Sequence, residues 1–146
     1  MDKFMKEALK EARRGFREGG IPIGSVLVKN GKIIGRGHNR RVQKNSQILH
    51  AEIDCLENAG RMRSYKGTVL YSTLMPCYLC AGAVVQFGIK KVVVGERLHY
   101  HGKGTQKVME THGVKVVSMY CKECVDIMEK FAKDNPELWA EDTGQA

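Results

Sequence analysis

The chain has 146 residues, 42% of them hydrophobic and 27% charged, with a net charge of +8 at pH 7 and a pI near 9.3. This length and apolar content fit one soluble globular domain, residues 1–146, with a substantial core, and no apolar run approaches membrane-spanning length. Met1-Asp2-Lys3-Phe4 opens an amphipathic pattern rather than a signal peptide, and five cysteines without an export signal point to a reducing cytoplasm with thiols used as ligands, not disulfides.

Residues 2–18 read as a helix. Phe4, Met5, Ala8, Leu9, Ala12 and Phe16 recur at spacings of three and four and form one apolar face, and Gly19-Gly20 ends it. Ile21 to Val28 is an apolar, β-branched run read as the first strand. Lys29-Asn30-Gly31-Lys32 is a hairpin turn in which Asn-Gly supplies positive φ, and Ile33-Ile34 starts the return strand into Gly35-Arg36-Gly37-His38-Asn39. Arg40 to Gln47 is a polar loop. A second helix begins near His50, carries Ile53, Leu56 and Ala59, and stops at Gly60, which puts His50 and Glu52 in its first turn.

Thr68 to Thr73 is the third strand. Pro76 suits a helix start, so Cys77 and Cys80 fall at i and i+3 in the next first turn, where the helix dipole favours thiolates. Val92-Val93-Val94 is a buried strand. Residues 97–113 hold a loop and a short helix closed by Gly113, and Val114, Val116 and Val117 make the fifth strand. A connection of that length with its own helix favours parallel pairing of strands four and five by a right-handed crossover. Tyr120 to Lys133 is a helix with Cys124, Ile127, Met128 and Phe131 inward. Asn135-Pro136 breaks it, and a tail with Trp139 and Asp142 follows. There is no internal repeat, linker or low-complexity segment. Helix, hairpin, then strands alternating with helices is an α/β pattern: a mixed five-stranded sheet between helix layers, three layers in α-β-α order, with the two cysteine- and histidine-bearing helices meeting by their N-termini at one sheet edge.

His50-Ala51-Glu52 and Pro76-Cys77-Tyr78-Leu79-Cys80 carry the chemistry. One imidazole and two thiols are three protein ligands for zinc, a set that leaves a fourth position for water. Zinc lowers the pKa of such a water to about 7. Glu52, two residues from the imidazole, suits the general acid/base that moves protons between that water and a substrate. As a fourth ligand it would close the site and make the metal structural. A lone C-x-x-C is a redox pair, half a structural zinc site or a coincidence. The order H-x-E then P-C-x-x-C, with Glu outside the metal shell, is the signature of zinc-dependent base deaminases.

Across nearly its whole length the chain resembles the fungal-type cytosine deaminases of the cytidine deaminase-like superfamily. Besides the zinc motifs, the resemblance rests on Gly19-Gly20-Ile21-Pro22-Ile23-Gly24, Gly35-Arg36-Gly37-His38-Asn39, Leu56-Glu57-Asn58, Val94-Gly95-Glu96 and Trp139-Ala140-Glu141-Asp142. It implies the cytidine deaminase-like fold, a homodimer, and zinc-dependent conversion of cytosine to uracil and ammonia in pyrimidine salvage. By resemblance His50, Cys77 and Cys80 are the zinc ligands and Glu52 the proton shuttle. Asn39 and the backbone N–H of Ala51 hold the O2 and N1 edge of the pyrimidine. The carbonyl of Met75 and the carboxylate of Asp142 receive the exocyclic amine, Trp139 and Tyr100 pack over the ring, and Ile23 lines the floor. An amide that both donates and accepts, and aromatic faces for a flat ring, are also what the chemistry asks for. Read without the resemblance, Asn39 is also a residue that tolerates an unusual turn, Trp139 also plain packing, and Asp142 also a solvated terminal carboxylate. Glu57 and Glu96 are structural or surface residues.

The family pattern has Gly where this chain has Ala51, and Phe where it has Tyr100 and Val42. Ala at that position, and Ala81-Gly82-Ala83 after Cys80, are what tRNA adenosine deaminases carry. The alternatives are therefore a tRNA-editing adenosine deaminase, a deaminase of another free base (purine, isocytosine-like or triazine), and, outside enzymes, a zinc-stabilised binding module. The basic balance, densest over Lys10 to Arg17 and Arg36 to Lys44, can favour nucleic acid and leaves that partner open, but the spread of charge along the chain fits a solvated surface. An aromatic and acidic tail suits a lid over a small base sealed from water, whereas a tRNA loop needs an open groove. Cys121-Lys122-Glu123-Cys124 is a second C-x-x-C. Nothing near it in sequence completes a metal site, although His112 lies upstream, and it is read as structural.

Overall fold

The computed structural model describes residues 2–144. In chain order the elements are α1 (Lys3–Arg17), β1 (Gly24–Lys29), β2 (Lys32–His38), α2 (Ala51–Ala59), β3 (Thr68–Leu74), α3 (Tyr78–Phe87), β4 (Lys91–Glu96), α4 (Lys103–Thr111), β5 (Lys115–Ser118), α5 (Lys122–Asp134) and α6 (Pro136–Asp142). The five strands form one sheet in the order β2-β1-β3-β4-β5. β1 pairs antiparallel with β2 and β3, and β3–β4 and β4–β5 are parallel, so the expected mixed sheet and its parallel fourth and fifth strands are present. Asn30 and Gly31, at φ 52° and 76°, make the hairpin turn as read.

Strand alternation builds the three layers. Leu27, Leu70, Val92 and Val94 point to one face and pack with Cys55 and Leu56 of α2, Ala81 and Val84 of α3, and Met109 of α4. Their neighbours Val26, Val28, Tyr71 and Val93 point to the other face, against Met5, Ala8, Leu9 and Ala12 of α1 and Cys124 of α5. Glycines let helices lie on strands. A side chain at Gly24 would run into the backbone of Ala8 and Ala12, and one at Gly37 into the backbone of Cys55 and Asp54. The second contact seats α2 on β2 and fixes where the start of α2 meets the sheet.

Several boundaries differ from the reading. The first strand begins at Gly24, not Ile21. Pro22 has no N–H for a ladder, and the Ile23 N–H bonds back to the Ile21 carbonyl (2.8 Å), so Ile21–Ile23 is a buried bend. His50 is not inside a first turn but is the extended N-cap of α2 (φ −64°, ψ 160°), and Cys77 is likewise the N-cap of α3 (φ −78°, ψ −177°). The fifth helix starts at Lys122 with Cys121 as its N-cap, leaving Tyr120 outside and exposed. The tail is itself a helix. Pro136 ends α5 and, with its φ already helical, occupies the first turn of α6.

Candidate active site

The starts of α2 and α3 meet beside β3. Because His50 is an extended cap and Glu52 lies two residues on, inside the helix, a spacing that sets side chains apart on a helix face here serves one pocket. His50, Cys77 and Cys80 bring one ligand atom each to within 4.8 Å of one another, with His50 Nδ1 3.4 Å from Cys77 Sγ. Bonds of about 2.3 Å to sulfur and about 2.0 Å to nitrogen place tetrahedral zinc ligands roughly 3.5–3.8 Å apart, so the donor set fits zinc in chemistry and in spacing. Glu52 is not part of this cluster.

The charges agree. A hydrogen bond from Cys80 holds the Cys77 thiol down to about 4 against the effect of burial, with His50 adding to it. That same bond, then burial, pushes Cys80 well above the ordinary thiol range. Burial lowers His50, but the neighbouring Cys77, with the Glu52 and Asp142 charges, more than offsets it and the imidazole is raised. The trio thus holds protons that a cation would displace, as metal binding to thiols requires. Burial pushes Glu52 up to about 7, with the Cys77 charge adding and His50 opposing, a value suited to giving and taking protons near neutral pH.

Beside the donors is a cavity of about 260 Å3 whose lining includes Ile23, Asn39, His50, Glu52, Met75, Cys77, Tyr100, Trp139 and Asp142. Nine of the residues singled out in the sequence therefore face one space. Cys80 joins through the metal cluster. Ala51 does not line the cavity; its side chain packs in the core with Ile21, Ile23 and Leu74, and its N–H, at the first helical position, has no intrahelical acceptor. Asn39 is only 1% exposed, and positive φ among the described non-glycine residues occurs at Asn30 and Asn45, so no unusual turn accounts for Asn39. Its Oδ1 accepts the Arg41 N–H (3.1 Å) and its Nδ2 donates to Asp142 Oδ1 (3.4 Å). Burial pushes Asp142 above the usual carboxylate range, opposed by the His50 and Arg41 charges and by the Asn39 hydrogen bond. No backbone hydrogen bond to the Met75 carbonyl is found among the described residues. Trp139 both walls the cavity and packs on the core. Glu96 is structural, as read: it is buried and accepts the N–H of Leu98 (2.6 Å) and His99 (3.2 Å), shaping the loop that carries Tyr100.

Sequence reasoning missed wall residues Leu74, Tyr78, Leu79, Thr143 and Gly144, and it missed Arg41. It took Arg36 to Lys44 as a basic patch. Instead, Arg36 pairs with Glu7 and Glu11, Arg40 with Asp54, and Arg41 with Glu141 and Asp142. The signal for this was weak, since each partner is far away in sequence.

The fold and donor set define a zinc hydrolase of the deaminase type. The chain belongs to the family described as the cytidine and deoxycytidylate deaminase zinc-binding region, whose pattern matches residues 1–96. It is 44% identical to the cytosine deaminase of Candida albicans, over 98% of this chain and 96% of that protein. It is 36% identical to a tRNA-specific adenosine deaminase of Streptococcus pyogenes, over 92% and 91%. A solved guanine deaminase from Nitrosomonas europaea superposes with a TM-score of 0.74 at 19% identity, over 89% of this chain and 83% of that one, a likeness of fold. The protein is a zinc-dependent hydrolytic deaminase, and among the described residues no helix is long and apolar enough to cross a membrane.

Proposed function

We propose that the protein deaminates free cytosine to uracil and ammonia, as a cytoplasmic homodimer serving pyrimidine salvage and built as one catalytic domain over residues 1–146. The observation that carries this is the cavity. At about 260 Å3 it is smaller than the roughly 300–1,000 Å3 of drug-sized sites, and α6 brings Trp139 and Asp142 against it, a shape for a single small ring. The whole-length relation to a cytosine deaminase supports the same substrate. An apolar groove with Leu56, Met62, Tyr65 and the half-exposed Phe87 supports the dimer.

His50, Cys77 and Cys80 would hold zinc, which would supply the Lewis acid that makes water a nucleophile at neutral pH. Glu52 would take one proton from the attacking water and pass it to the ring nitrogen beside the amine-bearing carbon, then carry the second proton, from the hydroxyl so added, to the amine, which leaves as ammonia as the carbonyl forms. Asn39 and the Ala51 N–H hold the O2 and N1 edge. The Met75 carbonyl and Asp142 accept from the amine, so a base with oxygen there leaves buried acceptors unpaired and is disfavoured. Trp139 and Tyr100 cover the ring, Ile23 supports it, and together they exclude water.

Release of ammonia from cytosine, adenine, guanine, cytidine and a tRNA anticodon stem by zinc-loaded protein tests the substrate. Cytosine should be turned over best, and turnover confined to the tRNA stem would overturn the proposal. The tRNA reading has the net charge of +8, Ala51 and a 36%-identical relative in its favour. Against it, the arginines of one of the two denser patches, Arg36, Arg40 and Arg41, are committed to carboxylates of the protein itself.

A further inference from the structure

We propose that Arg41 is the positioning residue for Asp142. It clamps the C-terminal end of α6 over the cavity and fixes which carboxylate oxygen is offered to the substrate's amine. This rests on the amine-acceptor reading of Asp142 given under Proposed function.

The Arg41 side chain is 5% exposed yet does not line the cavity, so it acts through other groups. A buried guanidinium demands partners, and every nitrogen has one. Nε donates to the Gln47 carbonyl (3.1 Å) and NH2 to Gln47 Oε1 (3.0 Å), which anchors the cation to its own loop. NH1 donates to Asp142 Oδ1 (3.0 Å) and NH2 reaches Glu141 Oε1 (3.4 Å), so the same cation grips two successive residues of α6. The backbone of Arg41 is tied in as well: its N–H donates to Asn39 Oδ1 (3.1 Å) and its carbonyl accepts from the Ser46 N–H (2.9 Å). One residue thus joins Asn39, the loop and the lid.

Two consequences follow for Asp142. Its Oδ1 is taken by both Arg41 and Asn39, and Oδ2 receives no protein donor among the described residues, so one oxygen is locked and the other is left to accept from a ligand. And α6, seven residues long with none fully buried, is too short to stand on its own. Leu138 and Trp139 attach its middle to the core, and the Arg41 pair attaches its end. Without that pair Asp142 keeps its place in the sequence but loses its place over the cavity.

Two measurements on zinc-loaded protein test this. In a double-mutant cycle with cytosine, Arg41→Met and Asp142→Asn should each lower kcat/KM by about 100-fold, and the double variant should fall no more than about 3-fold below the worse single variant. Losses that multiply in full overturn the assignment of Arg41 alone. An Asp142→Asn enzyme with unchanged turnover overturns the amine-acceptor reading itself, and this assignment with it. In amide hydrogen exchange, Arg41→Met should speed exchange at residues 137–143 by about 10-fold or more while α3 is unchanged, because a local opening has been made easier. Wild-type exchange in α6 at full zinc content overturns the clamp. Arg41→Lys, which keeps the charge but not the fork, should show both effects in weaker form and carries both measurements if Arg41→Met fails to fold.

Discussion

Two C-x-x-C segments open helices that follow parallel strands: Cys77 and Cys80 at the start of α3, and Cys121 and Cys124 at the start of α5. In each, the first cysteine is an extended N-cap and the second lies three residues on, in the first turn. Their surroundings differ. The first pair clusters with His50, its Cys77 lines the cavity, and the Cys77 thiol is held down to about 4. The second pair is buried among Met5, Ala8, Tyr71 and Val93, and burial pushes Cys124 far up. His112, the one upstream candidate for a third ligand, is exposed and bonded to the Val108 carbonyl (2.8 Å). The lesson is that helix-start geometry only prepares two thiols. A third donor and an open side make them a metal centre, and an apolar surrounding makes the same geometry part of a core.

The contrast breaks most sharply on metal content. Cys77→Ala and Cys80→Ala should each lose zinc and all turnover, while Cys121→Ala and Cys124→Ala should keep one zinc per chain and near-normal turnover. Metal analysis of the four purified variants decides it, and zinc retained at full occupancy in the first two would remove the ligand assignment.

A smaller effect separates the metal half of the site from the half proposed to bind the base. Asp142→Ala should keep its zinc and lose about 100-fold in kcat/KM, the scale of one charge-assisted hydrogen bond. Zinc loss in this variant would mean that α6 supports the metal and not the base.

Thiol chemistry sharpens the comparison further. Because the Cys77 pKa is lowered, its thiolate is present above pH about 4 and is lost only as pH falls through that value. Zinc-stripped protein treated with iodoacetamide at pH 6 should therefore be alkylated at Cys77 and not at Cys124, and peptide mapping reads the result. Restoring zinc should protect Cys77. Equal labelling of both would show that the two pairs do not differ in kind.

The smallest effect lies in stability. Cys124 is fully buried, so Cys124→Ala should cost about 1 kcal/mol through a small cavity in a close-packed core, seen as a lower denaturation midpoint with activity retained.

These two regions also show what was legible in the sequence. The sheet, its parallel edge and the metal trio could be read, because periodicity and the H-x-E and P-C-x-x-C spacings are local signals. The second pair reads as structural because no third ligand accompanies it in sequence, and in the fold it lies in the core. His50 was misplaced by one position because a cap and a first turn look alike in sequence, though only the cap puts His50 and Glu52 on one pocket. α6 was missed because Asn135-Pro136 ends one helix and begins another, and seven residues carry too little pattern to show it. Arg41 was missed for the opposite reason. Its residue type was plain, but its meaning depends on Asp142, which is brought to it only by the closed fold. A run of arginines in the chain gave no sign that three of them would be paired within it.

The central claim is that the first pair, with His50, holds a catalytic and not a structural metal, with Glu52 outside the metal shell as the proton carrier. Glu52→Gln keeps the shape and removes the exchangeable proton. Zinc content and cytosine turnover measured on the same preparation should show one zinc per chain and kcat lower by at least about 100-fold. A variant that loses its metal, or one that keeps both its metal and its turnover, would contradict the account.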